Sequence, residues 1–471
     1  METISHKPQY RDKFSDKRLD KRAEQISSLL MHSRVSSIKG ITKNESEQKA
    51  FYRFLENEKV EEKILIEELK ERCSILSSGR DVIVLQDTTE IGLSKHANRL
   101  IPDSGVGLAG NKIGLGFMLH ASLVLDTNRS TALGFSDIQL WHRREHKANN
   151  TTKNYKKFPI EEKESYRWIK ASEECKKILS EAKSITIIED REGDIYEQFA
   201  SIPDTTTHLL IRSRDNRKLW DGSHLYDTLS QAPLAGSYTI KIIEDLRKEV
   251  VGRMAKIEVR FCKIQIRKPA TLNNKALPEQ IELYAVEAAE ITKGIHHSIK
   301  WRILTTHPVN NYDQALGIIN KYRMRWYIEQ LFRLLKKKGF KIEESELSTG
   351  WAIRKLTVML LNTVLRIMQL LLAYGNEQSQ PIEEVFKKEE VEFLTILNRK
   401  LEGTHRKNKN NNLPQKLSWA TWIIARMGGW KGYASQRPPG PITLKRGLEK
   451  FTAMLEGWSL ANPLEKDVST R

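Results

Sequence analysis

Two aspartates and one four-residue pattern are the features of this 471-residue chain whose types and spacing could do chemistry. Asp87 follows the apolar run VIVLQ, and Asp190 follows ITIIE. In α/β sheets the crevice at the carboxyl ends of the strands is the usual place for a site, so two strand-terminal carboxylates could share a divalent metal; caps and turns are the plainer use of such residues. In KYRMRWYIEQLFRLLKKKGF, Tyr322, Arg325, Glu329 and Lys336 stand at offsets of zero, three, seven and fourteen. Read as one helix at about 100° per residue, the four share a stripe roughly 60° wide. Ile328, Leu331 and Leu335 fall on an adjoining face that would hold the helix against a core. A carboxylate in the stripe can ligate a metal, and Arg, Lys and Tyr can hold successive phosphates. A solvated pair of Arg325 and Glu329 would explain two of the four and contribute only a few tenths of a kcal/mol. Three acids among these cations suggest two divalent ions and in-line phosphoryl transfer. Glu189, Glu192 and Asp194 crowd Asp190, either tuning it or simply exposed.

The elements that must position these residues can be read from periodicity. Residues 81–86, 117–125 and 184–188 are short apolar or β-branched runs, and residues 160–182 have helical character, which together predict an α/β core. Residues 208–213, 238–243, 255–267 and 281–286 read almost entirely as strands, so a β insertion spans about 205–300. In the third run apolar residues move from odd positions (Ile257, Val259, Phe261) to even ones (Ile264, Ile266), which predicts a bulge near Cys262. Strand 301–305 and a long helix then resume the core. Residues 1 to about 75 are helical and rich in both charges. Phe51, Tyr52, Phe54 and Leu55 lie beside Lys49 and Arg53, suiting either a helix presented to a DNA groove or a hairpin packed on the next domain. Beyond residue 374 the chain is helical again, broken by the basic, Asn-rich stretch 405–415. Leu444, Leu448, Phe451, Leu455 and Trp458 then form an apolar face for its own domain or a partner chain.

Composition narrows the class. Lys and Arg number 78 against 60 Asp and Glu, so the formal charge is 78 − 60 = +18, with 39% hydrophobic and 29% charged residues. These values exclude a disordered or membrane-embedded bulk. The charge suits a polyanion such as nucleic acid, an anionic membrane surface, or solubility alone. Cys73, Cys175 and Cys262 are isolated, which argues against disulfides and thiolate zinc sites and for a reducing cytoplasm. The N-terminus lacks a signal-peptide core. The apolar run 356–374 is interrupted by Asn362, Arg366 and Gln369, which predicts a buried helix and no membrane partner. The glycines at 105, 107 and 110 precede a strand, so they are no dinucleotide fingerprint; His142, Glu145 and His146 lack a third ligand, and His296 and His297 are a poor chelate.

The spacing Tyr322-x2-Arg325-x3-Glu329-x6-Lys336 resembles the YREK signature of bacterial insertion-sequence transposases of the DDE family, the branch that includes the transposase of transposon Tn five. The segments QDTT from Gln86, DREGDI from Asp190, RS at Arg212 and Ser213, KWRILTT from Lys300, AFYRF from Ala50 and SWATWIIARMGGW from Ser418 are similar too. That resemblance implies an RNase H-like catalytic core at 76–374 carrying the β insertion. A helical end-binding domain would occupy 1–75 and a helical dimerisation domain 375–471. It implies that Asp87, Asp190 and Glu329 are the catalytic, metal-binding triad for two Mg²⁺ or Mn²⁺ ions. Tyr322, Arg325 and Lys336 would hold transposon-end phosphates, with Arg212 also on DNA, and the Trp301 indole would stack on a flipped base. The implied activity is cut-and-paste transposition through nicked, hairpin and joined ends, by a homodimer on double-stranded end DNA and target DNA, in a bacterial cytoplasm and on the nucleoid when bound. A non-catalytic end-binding regulator or inhibitor is the rival reading, and a metal nuclease that does not join ends is a third.

Overall fold

Runs rich in Val, Ile and Leu form the strands because branched side chains pack well on a pleated surface. The computed structural model describes residues 8–32, 37–96, 98–100, 104–108, 114–129, 131–143, 158–242, 244, 251–292, 298–336, 339–403, 409–433 and 437–461. Gly110, Glu145, His146, His296, His297 and the start of the 405–415 stretch lie outside the described residues. Ten strands build one sheet: β1 (Asp81–Gly92), β2 (Gly107–Leu108), β3 (Leu115–Asp126), β4 (Thr131–Trp141), β5 (Ser184–Glu189), β6 (Thr207–Arg212), β7 (Leu234–Ile242), β8 (Arg253–Arg267), β9 (Gln280–Glu290) and β10 (Lys300–Thr305). The order is β2-β3-β1-β5-β6-β10-β9-β8-β7, with β4 also on β3. β1 pairs antiparallel with β3 and parallel with β5, and β5 pairs parallel with β6. From β6 onward the pairs are antiparallel, so the predicted insertion prolongs the same sheet.

Thirteen helices of the described residues surround it. Four precede β1: α1 (Lys17–His32), α2 (Ile38–Ile41), α3 (Glu45–Glu56) and α4 (Glu62–Ser77). Three lie among the strands: α5 (Tyr166–Ile178), α6 (Tyr196–Ser201) and α7 (Leu225–Gln231). After β10 come α8 (Tyr312–Arg323), α9 (Trp326–Leu335), α10 (Gly350–Ala373), α11 (Lys388–Leu401), α12 (Leu417–Met427) and α13 (Pro441–Ala461). The sheet separates two cores. Ile83, Leu85, Ile188 and Leu210 join a cluster that runs from Tyr10 through α10 to Phe451. Val82, Val84, Ile185, Ile187, Leu209 and Ile211 face the other cluster, with Ile169 and Cys175 of α5.

Helix α10 is long and apolar enough to cross a membrane, yet it is buried almost throughout. Its polar interruptions are met by protein: Arg72 donates to Asn362 Oδ1, Arg366 Nη2 donates to Glu390 Oε1 at 2.8 Å, and Gln369 Nε2 donates to Ala132 O at 3.0 Å. The apolar face of α13 is used within the chain. Leu444, Leu448 and Phe451 are buried, and the Phe386 and Phe393 rings lie 5.9 and 5.8 Å from that of Phe451.

Two local expectations are corrected. No bulge occurs near Cys262: the β8–β9 register is unbroken from Ile257 to Arg267, and the irregularity of the β7–β8 pair lies between Leu234 and Gly236. The buried parity changes because β8 passes from one core to the other. Ala255, Ile257 and Val259 are covered on one face and Ile264 and Ile266 on the opposite face. The segment carrying Tyr322, Arg325 and Glu329 is two helices, not one. Met324 and Arg325 keep right-handed helical angles, but Arg325 N bonds to Tyr322 O and Ile328 N to Arg325 O, three residues back in each case, so the turn tightens at the junction.

Candidate active site

Asp87 lies within β1 rather than beyond its end, because β1 continues along β3 to Gly92. Its parallel pairing with β5, however, stops at Leu85 opposite Ile188, and that of β5 with β6 stops at Glu189 opposite Ile211. Continued by period two, the register sets Asp87, Asp190 and Arg212 in one row across three strands, on the face that buries Leu85, Ile188 and Leu210. Arg212 pairs with Ile303 of β10, which also carries Trp301. Thus the carboxyl ends of the parallel strands gather both aspartates, as the apolar runs predict.

The junction of α8, which packs on β8 and β9, with α9, which packs on β1, lies against this row. Arg325, at their junction, donates from Nη1 to Asp87 Oδ2 at 2.9 Å and from Nη2 to Glu329 Oε1. Burial pushes the Asp87 carboxyl up to about 6, Asp190 and Glu329 add to the rise, and Arg325 opposes it. Asp190 accepts from Glu192 N at 2.8 Å and caps the short turn that follows. Its acidic neighbours differ in kind. Glu189 is fully buried and pushed well above the usual carboxylate range by that burial; Asp194 is buried against Arg217; Glu192 is exposed and paired with Arg167.

Arg212, Trp301, Tyr322, Arg325 and Glu329 line one open cleft of about 590 Å³. Tyr322 is buried at the base, its ring edge-on to Trp301 with centroids 5.4 Å apart, and burial raises its phenol while Arg325 and Arg212 oppose the rise. Arg323, Trp326 and Tyr327 also line the cleft, and Trp326 is exposed. The sequence reading passed over these three, although the run RMRWY offered a signal, aromatics beside cations. With three arginines against Glu329, the cleft carries an excess of positive charge and has aromatic faces for bases. Lys336 does not line it: it ends α9, two turns past Glu329, in extended conformation.

Carboxylate oxygens suit hard divalent ions, and a desolvated Asp87 beside two further acids is a setting that favours a cation. Among the described residues no three Asp, Glu, His or Cys side chains are gathered as a ready metal-binding group. Asp87, with Asp190 and Glu329 near enough to raise its carboxyl, offers the oxygen donors such an ion takes, and the Arg325 guanidinium bridges Asp87 and Glu329.

Residues 11–60, which take in α1, α2 and α3, match the family model described as transposase DNA-binding. The cryo-EM structure of the piggyBac transposase synaptic complex with hairpin DNA is similar over 86% of this chain and 58% of that one, at 9% identity and a TM-score of 0.34. This chain thus spans less than two thirds of that neighbour. Its N-terminal helices are similar in sequence to the DNA-binding segment of transposases.

Proposed function

We propose that the chain is a cut-and-paste DNA transposase of the DDE type. The observation that carries this reading is the row of Asp87, Asp190 and Arg212, with Arg325 bonded to Asp87 and Glu329, beside a cationic, aromatic cleft lined by Arg212, Arg325 and Glu329, in a chain whose residues 11–60 match a transposase DNA-binding family. The strand order β4-β3-β1-β5-β6, antiparallel and then parallel, supports an RNase H-like core. Lys17, Lys21, Lys39, Lys49 and Arg53 on the N-terminal helices, and Lys43 between α2 and α3, are exposed and suit the phosphates of end DNA.

Asp87, Asp190 and Glu329 would hold two Mg²⁺ or Mn²⁺ ions, which supply a lowered pKa for the attacking water or hydroxyl and charge relief for the leaving oxygen. Arg325, released from Asp87 and Glu329, turns to a phosphate, and Tyr322, Arg212 and Lys336 hold neighbouring phosphates. Trp301 offers its face to the base that must leave the helix when a 3′-hydroxyl attacks the opposite strand to form a hairpin. Water reopens the hairpin, and the freed 3′-hydroxyl attacks target DNA. Residues 1–75 would bind the ends, 76–374 cut and join them, and 375–471 assemble the homodimer.

The test uses purified protein, Mg²⁺ and linear DNA bearing the inverted repeats that flank its gene. Hairpin-ended and joined products are expected from the parent. Glu329→Gln should lose cleavage by at least about a thousandfold, on the scale of losing a group that acts only in the transition state, with end binding retained. End binding without cleavage by the parent, in Mg²⁺ or Mn²⁺, would replace this reading with a non-catalytic end-binding regulator.

A further inference from the structure

Asp87 and Asp190 project from one face of the sheet, and helix α5 lies behind them on the other. Gln86, Thr88 and Glu189 alternate onto that rear face. Gln86 Nε2 donates to Ser172 Oγ of α5 at 3.2 Å, and Ser172 Oγ donates to Glu189 Oε1 at 3.3 Å. Gln198 of α6 donates to the same Glu189 oxygen and, at 3.3 Å, to Ser172 Oγ. Gln86, Ser172, Glu189 and Gln198 are all fully buried.

Near the start of α5, Arg167 makes a second crossing. Its Nε donates to Thr88 Oγ1 at 2.9 Å, its Nη2 to Glu192, and its Nη1 to Glu164 O at 2.9 Å. The guanidinium lies over the rings of Trp141 and Trp168, 5.8 and 5.4 Å from their centroids. Thr88 Oγ1 is also within hydrogen-bond distance, 2.9 Å, of His120 Nδ1. Ser172 therefore joins the residues just before the two aspartates, and Arg167 joins Thr88, just after Asp87, to Glu192, two residues after Asp190.

These crossings begin where the backbone ladder ends. The β1–β5 pairing stops at Leu85 and Ile188, two residues short of each aspartate. Past that point the side chains of Ser172 and Arg167 link β1 to the β5 end, while a shared ion site needs its carboxylates held to a fraction of an ångström. We propose that α5 is a brace fixing the separation of Asp87 and Asp190, with Ser172 and Arg167 as positioning residues for a divalent-ion site. This rests on the phosphoryl-transfer reading above.

The experiment is calorimetric titration of Mn²⁺ into full-length protein held on end DNA, whose phosphates draw Arg325 off the acids: the parent, Asp87→Asn, Ser172→Ala, Arg167→Met, and the double variant. The parent should bind Mn²⁺ and Asp87→Asn should not. The double variant should bind about tenfold or more weakly, as expected when groups that orient metal ligands are lost. It should retain end-DNA affinity within about twofold, since neither residue faces the cleft, and the Mg²⁺ needed for half-maximal cleavage should rise in parallel. If the double variant does not fold, Ser172→Ala alone, which deletes one hydroxyl, decides. Unchanged Mn²⁺ affinity in the folded variant overturns the brace while leaving the function standing. A parent that binds Mn²⁺ no better than Asp87→Asn overturns the function and the brace with it.

Discussion

Two rows below the aspartates, His208 of β6 and His307 after β10 stack with ring centroids 4.0 Å apart. Thr186 Oγ1 lies 2.9 Å from His307 Nε2, and Thr306 Oγ1 lies 3.4 Å from His208 Nδ1. Burial, helped by Lys321 and His208, pushes His307 down to about 3, while burial and Lys321 lower His208, with Asp204 opposing. Lys321 is itself lowered by burial. A histidine whose folded pKa is depressed takes up its proton more readily unfolded. Its contribution is therefore present above about 6.5 and lost as pH falls toward 3, by a few kcal/mol. Urea midpoints measured from pH 7 to pH 4 should fall, and His307→Gln should flatten the fall. An unaltered slope in that variant would remove His307 from the acid sensitivity.

Helices α12 and α13 approach closely because Gly428 and Gly447 leave room for backbone. A Cβ on Gly447 would overlap the Ile424 carbonyl, and one on Gly428 the Thr443 carbonyl. Gly447→Ala should lower stability by about 1–3 kcal/mol, read as a shift in the urea midpoint at constant m-value; no shift would mean that the helices separate without cost. Most strands were legible, because β1, β3 and β5 carry short runs rich in Val, Ile and Leu. β4 was not, since Thr131, Ser136 and Asp137 look like loop residues. They are buried and meet Gln380, Cys175 and Lys70, partners remote in sequence. The site divides in the same way. Strand-end aspartates and the spacing from Tyr322 to Glu329 could be read locally. The bond from Arg325 to Asp87 spans 238 residues and could not. Lys336 was aligned with the others only by treating two helices and an extended residue as one straight rod. The parity change in β8 shows a further limit: period two reports which face is buried, but not which layer buries it.

At the scale of the molecule, the N-terminal helices share a core with the sheet and α10. Tyr10, Phe14, Ile26, Phe51 and Leu55 belong to the cluster that holds α10. Arg354 Nη2 donates to Glu62 Oε2 at 2.6 Å, and Lys355 Nζ donates to Asn57 O at 2.9 Å. A fragment of residues 1–78 loses these partners and exposes that apolar surface, so it should show little helix by circular dichroism and regain it only beside the remainder of the chain. A stably helical fragment would mean that the segment needs no support. The sheet has a mechanical consequence of its own. Between the β1 ladder and the β10 ladder run three successive hydrogen-bonded seams, β1 to β5, β5 to β6 and β6 to β10. Sliding Trp301 past Asp87 would shear all three at once. The floor of the cleft is therefore stiff, and any widening of it falls to the roof, where α8 meets α9 at Met324 and Arg325. Arg325, which grips both acids, sits at that junction, so a displacement of the roof would also pull on the carboxylates.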